Sequence, residues 1–422
     1  MEKSLYKIGS DIDCRMGTLF GLCIFAFGLT LSVSITEIGI GIAFICWILR
    51  LKKTDFQNFN LRNFAAKTPL LLPWSVYIAI AVITGVLGLN IVRSINYLPS
   101  DLIKMAACLF LVATMDKEMI KPVMGFYLLG ASIASVWAIT QVANYYSTAG
   151  ALVRTGATMN IITFGETISF ALLAVIVLFA KTPKKNKFRY IFLAQIFLFG
   201  AVLLLSQSRG AMLGAVVSVM LLWIMERHIR KFLTVLAVSA VFVIAALSFK
   251  SPRFADRFFS VPKAVYKIVT KPFVKTDVNL TEEIQKLSSS RIGQWKAGIK
   301  MLGDYPILGV GPSNVKVIFH FYHPKPIDGQ YGWSNLHNLY LHQAVERGLV
   351  GLAALIYLLT GIFILAWKSN KTKRNVYTIW CLCVLPGFFV MNLTETSFQH
   401  AVVSMSIFFM LAASHKSSAV NY

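Results

Sequence analysis

Residues 159–180, MNIITFGETISFALLAVIVLFA, decide the fold class. The stretch contains one acidic residue, Glu166, and no basic one. As a helix it extends about 33 Å at 1.5 Å per residue, which matches a hydrocarbon core about 30 Å thick. At that depth only a helix or a closed barrel satisfies its own backbone polar groups. Lys181, Lys184, Lys185, Lys187 and Arg189 follow it, and only Arg154 stands near its other end. The segment therefore reads as a membrane-spanning helix with one basic flank.

The same reading extends outward to eleven more stretches: 16–34, 36–50, 69–89, 98–115, 119–144, 189–206, 210–225, 232–249, 337–367, 375–392 and 397–414. Of the 422 residues, 56% are hydrophobic and only 14% are charged, whereas about a quarter of a soluble domain is charged. The expected fold is an all-α polytopic membrane protein with about twelve transmembrane helices and one large periplasmic loop. Residues 1–249 carry spans one to nine, 250–336 form the loop with its amphipathic helices, and 337–422 carry spans ten to twelve.

Sidedness comes from the short loops, because Lys and Arg collect on the cytoplasmic side. Arg50, Lys52, Lys53, Arg62 and Lys67 follow span two, and the group already named follows span six. Arg227, Arg230 and Lys231 follow span eight, and Lys368, Lys371, Lys373 and Arg374 follow span ten. All these loops are even-numbered, so both termini are expected in the cytoplasm. The short odd-numbered loops are poor in basic residues apart from Arg93, Arg154 and Arg209, and the long loop after span nine escapes the rule. No cleavable signal is expected, since the first apolar run is too long and lacks a small-residue cleavage site. The six cysteines fall in spans or on the cytoplasmic side, so no disulfide is expected.

The formal net charge of +23 invites a nucleic-acid reading. Much of the excess instead lies in loops that would face anionic lipid, and the aromatic residues sit in the spans without a basic stripe. Membrane lipids are the expected partners and nucleic acid is not. In the long loop, Lys263, Lys267, Lys271 and Lys275 recur every four residues, a like-charge face suited to headgroup phosphates or simply to solvent. A clearer helix follows, capped from Ser288, Ser289 or Ser290, with Ile292, Trp295, Ile299 and Leu302 at helical spacing.

Charge at membrane depth is costly, roughly 2.5–3.5 kcal/mol per residue on insertion scales, and so points to function. Arg209 in SQSRG abuts a span, Arg291 opens the loop helix, and His337 opens span ten beside Asn338. Glu346 and Arg347 lie two to three turns deeper and need buried partners. Arg154, Glu166 and Glu395 are further outward polar residues, and Glu395 is placed to neutralise an arginine or to position a hydroxyl. Two guanidiniums and an imidazole at one face suit diphosphate binding and proton abstraction. Metal is not expected: His320 and His323 form H-x-x-H, but no H-E-x-x-H occurs and carboxylates are sparse nearby. Nor does SQSRG fit the hydrolase pattern G-x-S-x-G.

At these residues the chain resembles the O-antigen ligase family, part of a superfamily shared with O-antigen polymerases and protein O-oligosaccharyltransferases. The resemblance rests on S-R-G at Ser208 to Gly210 and on R-x-x-x-W with Y-P-I-L-G-V-G-P between Arg291 and Pro312. It rests also on H-N-x-x-L and E-x-G-x-x-G between His337 and Gly351, and more weakly on R-T-G-x-x-x-N from Arg154. The resemblance implies an inverting glycosyl transfer at the periplasmic face of the bacterial inner membrane. The donor would be an O-antigen glycan on undecaprenyl diphosphate, and the acceptor a sugar hydroxyl of lipid A–core. Arg209 and Arg291 would hold the diphosphate and His337 would be the base, with Arg154, Asn338 and Glu395 as further substrate contacts and no cofactor. A polymerase or protein glycosyltransferase of the same superfamily remains open. So does a lipid-linked glycan transporter, although that would call for repeated halves with broken spans, which the sequence lacks.

Overall fold

A computed structural model describes residues 2–54, 68–149, 152–251, 254–255, 291, 293–323 and 333–419. The lysine series 263–275, Ile292 and the serine caps at 288–290 lie outside the described residues. Among those described, every regular element is a helix. The helices are α1 (Glu2–Gly28), α2 (Val33–Thr54), α3 (Leu71–Val86), α4 (Ile91–Thr114), α5 (Ile120–Ala149), α6 (Ile161–Lys181) and α7 (Phe188–Ser206). Next come α8 (Arg209–Met225), α9 (Arg230–Lys250), α10 (293–304), α11 (Val315–Tyr322), α12 (Leu339–Thr372), α13 (Val376–Met391) and α14 (Ala401–Ser418). Among the described residues, seven helices are long and apolar enough to cross a membrane, and four shorter ones are also apolar. The protein is a multi-pass helical membrane protein.

Helix α6, read from the opening stretch, is the centre of the bundle and is buried along most of its length, as an all-round apolar helix must be. Helix α9 is its opposite. Only Leu233 of that helix is buried, so its apolar surface faces outward. Helices α8 and α13 touch through small residues. Gly214 lies against Met391 and Gly387, and Gly387 lies against Ser218. Residues 210, 214 and 218 form one stripe at four-residue spacing, which lets two backbones approach closely without a hydrophobic driving force.

The basic loops meet at one end. Glu226 accepts from Lys181 Nζ at 2.9 Å and from Arg374 Nη2 at 2.8 Å, joining the α6–α7, α8–α9 and α12–α13 connections. The end of α14 joins them through Ser417 and Asn375 (3.1 Å), and Lys416 donates to Ala113 O at 3.2 Å. Three of the four loops grouped in sequence by their Lys and Arg content are thus neighbours in space, and Arg62 and Lys67 of the fourth lie outside the described residues.

At the other end, α12 is not the continuous helix that its sequence suggests. Gly348 interrupts it at φ 67°, ψ −175°, a region that only glycine occupies readily. The segment YPILGVG fills the break. Val310 N and Gly311 N donate to Val345 O and Glu346 O at 2.9 and 2.8 Å, and Leu349 N donates to Pro306 O at 2.8 Å. A Cβ on Gly348 would fall 1.8 Å from Ile307 O. Irregular backbone at such depth is tolerated when protein surrounds it, and here the loop supplies the missing bonds.

Ionic side chains flank the break. Arg347 pairs with Asp101 and lies 4.8 Å from the Tyr77 ring, and Lys104 Nζ is 3.5 Å from Asp101. Glu346 accepts from Ser313 N at 2.7 Å and lies 3.4 Å from His342 Nε2. Glu346 and Arg347 therefore take separate partners. The buried stripe of α10 is not its bulkiest apolar series. It runs through Gln294, Ala297, Gly298 and Met301, while Ile299 is exposed. Gly298 admits Leu336 and Leu341, where a Cβ would lie 2.8 and 3.2 Å from them.

Candidate active site

The site is built on the short connection between α13 and α14. Helix α13 ends at Met391, a 3-10 turn covers Ser397–Gln399, and α14 begins at Ala401, four residues later than the span expected from 397. Residues 392–400 therefore lie outside both helices and carry Glu395 and His400. Leu339 N donates to the carbonyls of Asn392 and Glu395 at 2.9 and 3.1 Å, which locks the start of α12 onto this connection. Asn338 caps α12, its side chain accepting from Leu341 N at 3.0 Å. Its Oδ1 is thereby committed to the fold, and the amide NH2 is the part left to present to a ligand.

His337 precedes that cap in the left-handed region, at φ 48°. A non-glycine residue there is sparsely populated and persists where its surroundings fix it. The fixing residue is Asn335, which accepts from His337 N at 2.8 Å and donates to Thr396 Oγ1 at 2.6 Å. The imidazole Nδ1 then lies 2.9 Å from Glu395 Oε2. With Nδ1–H donating to the carboxylate, Nε2 carries the lone pair of the neutral ring. The Trp333 ring stands edge-on to the imidazole at 6.5 Å.

Glu395 is buried, with 4% of its side chain exposed, and its other oxygen accepts from Arg291 Nη2. Burial alone would raise its pKa. The His337 hydrogen bond and the Arg291 charge outweigh burial and hold it below the ordinary carboxylate value. One carboxylate thus orients the imidazole and anchors the guanidinium. Nearby, Trp295 Nε1 on α10 donates to Leu336 O at 2.9 Å.

The two-residue turn between α7 and α8 brings the next arginine. Gln207 closes α7 in the left-handed conformation and α8 starts at Arg209, which is exposed. Gly210 packs against the Glu395 connection, where a Cβ would lie 3.0 Å from Thr394 Oγ1 and 3.3 Å from Glu395 Cγ. Arg154 reaches the same turn, its Nε donating to Ser206 O at 3.2 Å. Five of the six residues expected from sequence lie within or touch residues 206–210 and 392–396, and Asn338 stands between His337 and Leu339, which touch the second segment. Asn335 was not anticipated. Its only signal is its place two residues before His337.

The fold and this cluster define a class: a multi-pass helical membrane protein with an imidazole, a carboxylate and arginines gathered at the end away from the basic loops. Residues 194–356 match the model of the O-antigen ligase family, so the chain resembles that family over the part holding Arg209, Arg291 and His337. Arg154 and Glu395 lie outside the matched range. A Haemophilus influenzae protein described only as uncharacterized is 26% identical over 190 residues, which cover 43% of this chain and 44% of that protein. The aligned region thus spans less than half of either chain.

Proposed function

We propose that the protein transfers an O-antigen glycan from undecaprenyl diphosphate to a sugar hydroxyl of lipid A–core. In this reading twelve helices cross the bacterial inner membrane, both termini are cytoplasmic, and the site faces the periplasm. The observation that carries the reading is the convergence of His337 and Arg291 on the single carboxylate of Glu395. The Arg209 turn abuts that carboxylate's connection.

The chemistry follows from those groups. His337 Nε2 removes the proton of the acceptor hydroxyl, and Glu395 stabilises the imidazolium that forms. The freed oxygen attacks the anomeric carbon as the bond from that carbon to the phosphate oxygen breaks. Attack from the opposite face inverts the centre. Charge accumulates on the departing lipid diphosphate, where guanidiniums offer planar forks of donors. Removing one such preorganised contact costs about 10²–10³ in rate. The donor is already activated as a diphosphate ester, so neither nucleotide nor metal is called for. Arg154 and Asn338 complete the substrate contacts.

The test is reconstitution of the purified protein with lipid-linked glycan and lipid A–core, scoring which lipid gains sugar. Extension of lipid A–core supports the proposal. Extension of the glycan on its own carrier would replace it with a polymerase.

A further inference from the structure

The 392–400 connection carries a second imidazole on a second carboxylate. His400 Nδ1 lies 3.6 Å from Glu166 Oε2 and 3.4 Å from Thr163 Oγ1. Glu166 is fully buried in α6, and its other oxygen accepts from Ser397 Oγ, three residues before His400. The His400 side chain keeps 29% exposure. The residue before that glutamate packs on the arginine turn, since a Cβ on Gly165 would lie 2.9 Å from Ser208 Cβ and 3.0 Å from Ser206 Oγ. Arg154 donates to the Ser206 carbonyl, and Arg209 follows Ser208. The pair therefore borders the proposed diphosphate site, yet the base chemistry of His337 makes no use of it.

The two imidazoles differ in what surrounds them. The charged and titratable groups acting on His400 are Glu166 from α6, Glu395 from its own connection and Lys104 from α4. Burial opposes its charge, as does Lys104. The nearby Glu166 carboxylate, with the charge of Glu395, outweighs them and raises the imidazole above its ordinary 6.5. A protonated imidazole is a poor base and a good donor.

We propose that His400, oriented by Glu166, is a third cationic contact that donates from Nε2 to the phosphoryl oxygens of the lipid diphosphate. Glu166 is then a positioning residue. The inference rests on the proposed donor chemistry, and the test separates the two. Binding of farnesyl diphosphate to the detergent-purified full chain is measured at pH 6.5 and pH 9 for the unaltered protein, His400→Gln and Glu166→Gln. One charge-assisted hydrogen bond is worth about tenfold to a hundredfold in affinity. His400→Gln should lose that factor at pH 6.5 and little at pH 9. Glu166→Gln should keep the advantage at low pH and lose it at a lower pH than the unaltered protein does, a shift that simple loss of packing would not produce. If His400→Gln does not fold, the Glu166→Gln profile decides. Equal affinities in all three proteins overturn the inference and leave the donor reading standing. An unaltered protein that binds no farnesyl diphosphate overturns the donor reading itself. A parallel titration with phosphatidic acid micelles separates the source of the phosphate: an equal effect of His400→Gln there would assign the contact to a headgroup and overturn the donor assignment.

Discussion

His337 and Glu395 are 58 residues apart in sequence and 2.9 Å apart in space, Nδ1 to Oε2. The bond fixes which ring nitrogen faces the substrate. It also gives the imidazolium a counter-charge when a proton arrives. Because the carboxylate is buried and held by Arg291, the pair is preorganised before any substrate binds.

Glu395→Gln tests that orientation. The amide keeps the shape but loses the charge, and it can present NH2 to Nδ1, favouring the wrong tautomer. Turnover should fall by about 10²–10⁴, with a smaller change in apparent donor affinity. Steady-state kinetics on the reconstituted protein measures both.

Arg291→Lys keeps a positive charge near Glu395 and removes the planar fork. If the guanidinium contacts phosphate, turnover should drop by about 10²–10³. Near-normal turnover would leave Arg291 only as the partner of Glu395.

Gly348→Ala should be severe although it lies away from the proposed chemistry. The backbone there is at φ 67°, and the new Cβ would strike Ile307 O. Strain alone costs about 1–3 kcal/mol, and the clash adds to it. The expected result is loss of heat-resistant, monodisperse protein in detergent.

Glu226 links stability to pH at the basic end. Burial would raise its pKa, but Lys181 and Arg374 lower it below the ordinary 4.5. A depressed folded value means that the contribution is present above the unfolded pKa and is lost as pH falls through the folded one. Glu226→Gln should therefore destabilise the protein by about 1–2 kcal/mol at pH 7, discounted because both cations are partly exposed. The gap should close below about pH 4, as thermal unfolding at the two pH values would show.

Much of this was legible in the sequence, and the remainder was not for identifiable reasons. The stretch around Glu166 could be read because an apolar run of bilayer length has one structural solution. The grouping of Lys181 and Arg374 could be read because loop charge alternates with crossing number. The break at Gly348 could not, since glycine is tolerated inside a helix and the compensating bonds come from Pro306 to Gly311, a distant segment. Which face of α10 packs inward could not be read, because hydrophobicity favours Ile299 whereas close packing favours the small Gly298. Arg209 and His337 stand out as basic residues beside apolar runs, and Arg291 as one at the start of a helix in the polar stretch between them. That Arg291 and His337 share Glu395 was not legible, because helical and strand periods carry no information across 104 or 58 residues.

The most direct measurement is glycan transfer to lipid A–core by reconstituted His337→Ala, compared with the unaltered protein at equal membrane content. The proposed role predicts transfer at or below about 10⁻² of the unaltered rate, with lipid diphosphate still bound. Transfer at the full rate would contradict it and remove His337 as the base.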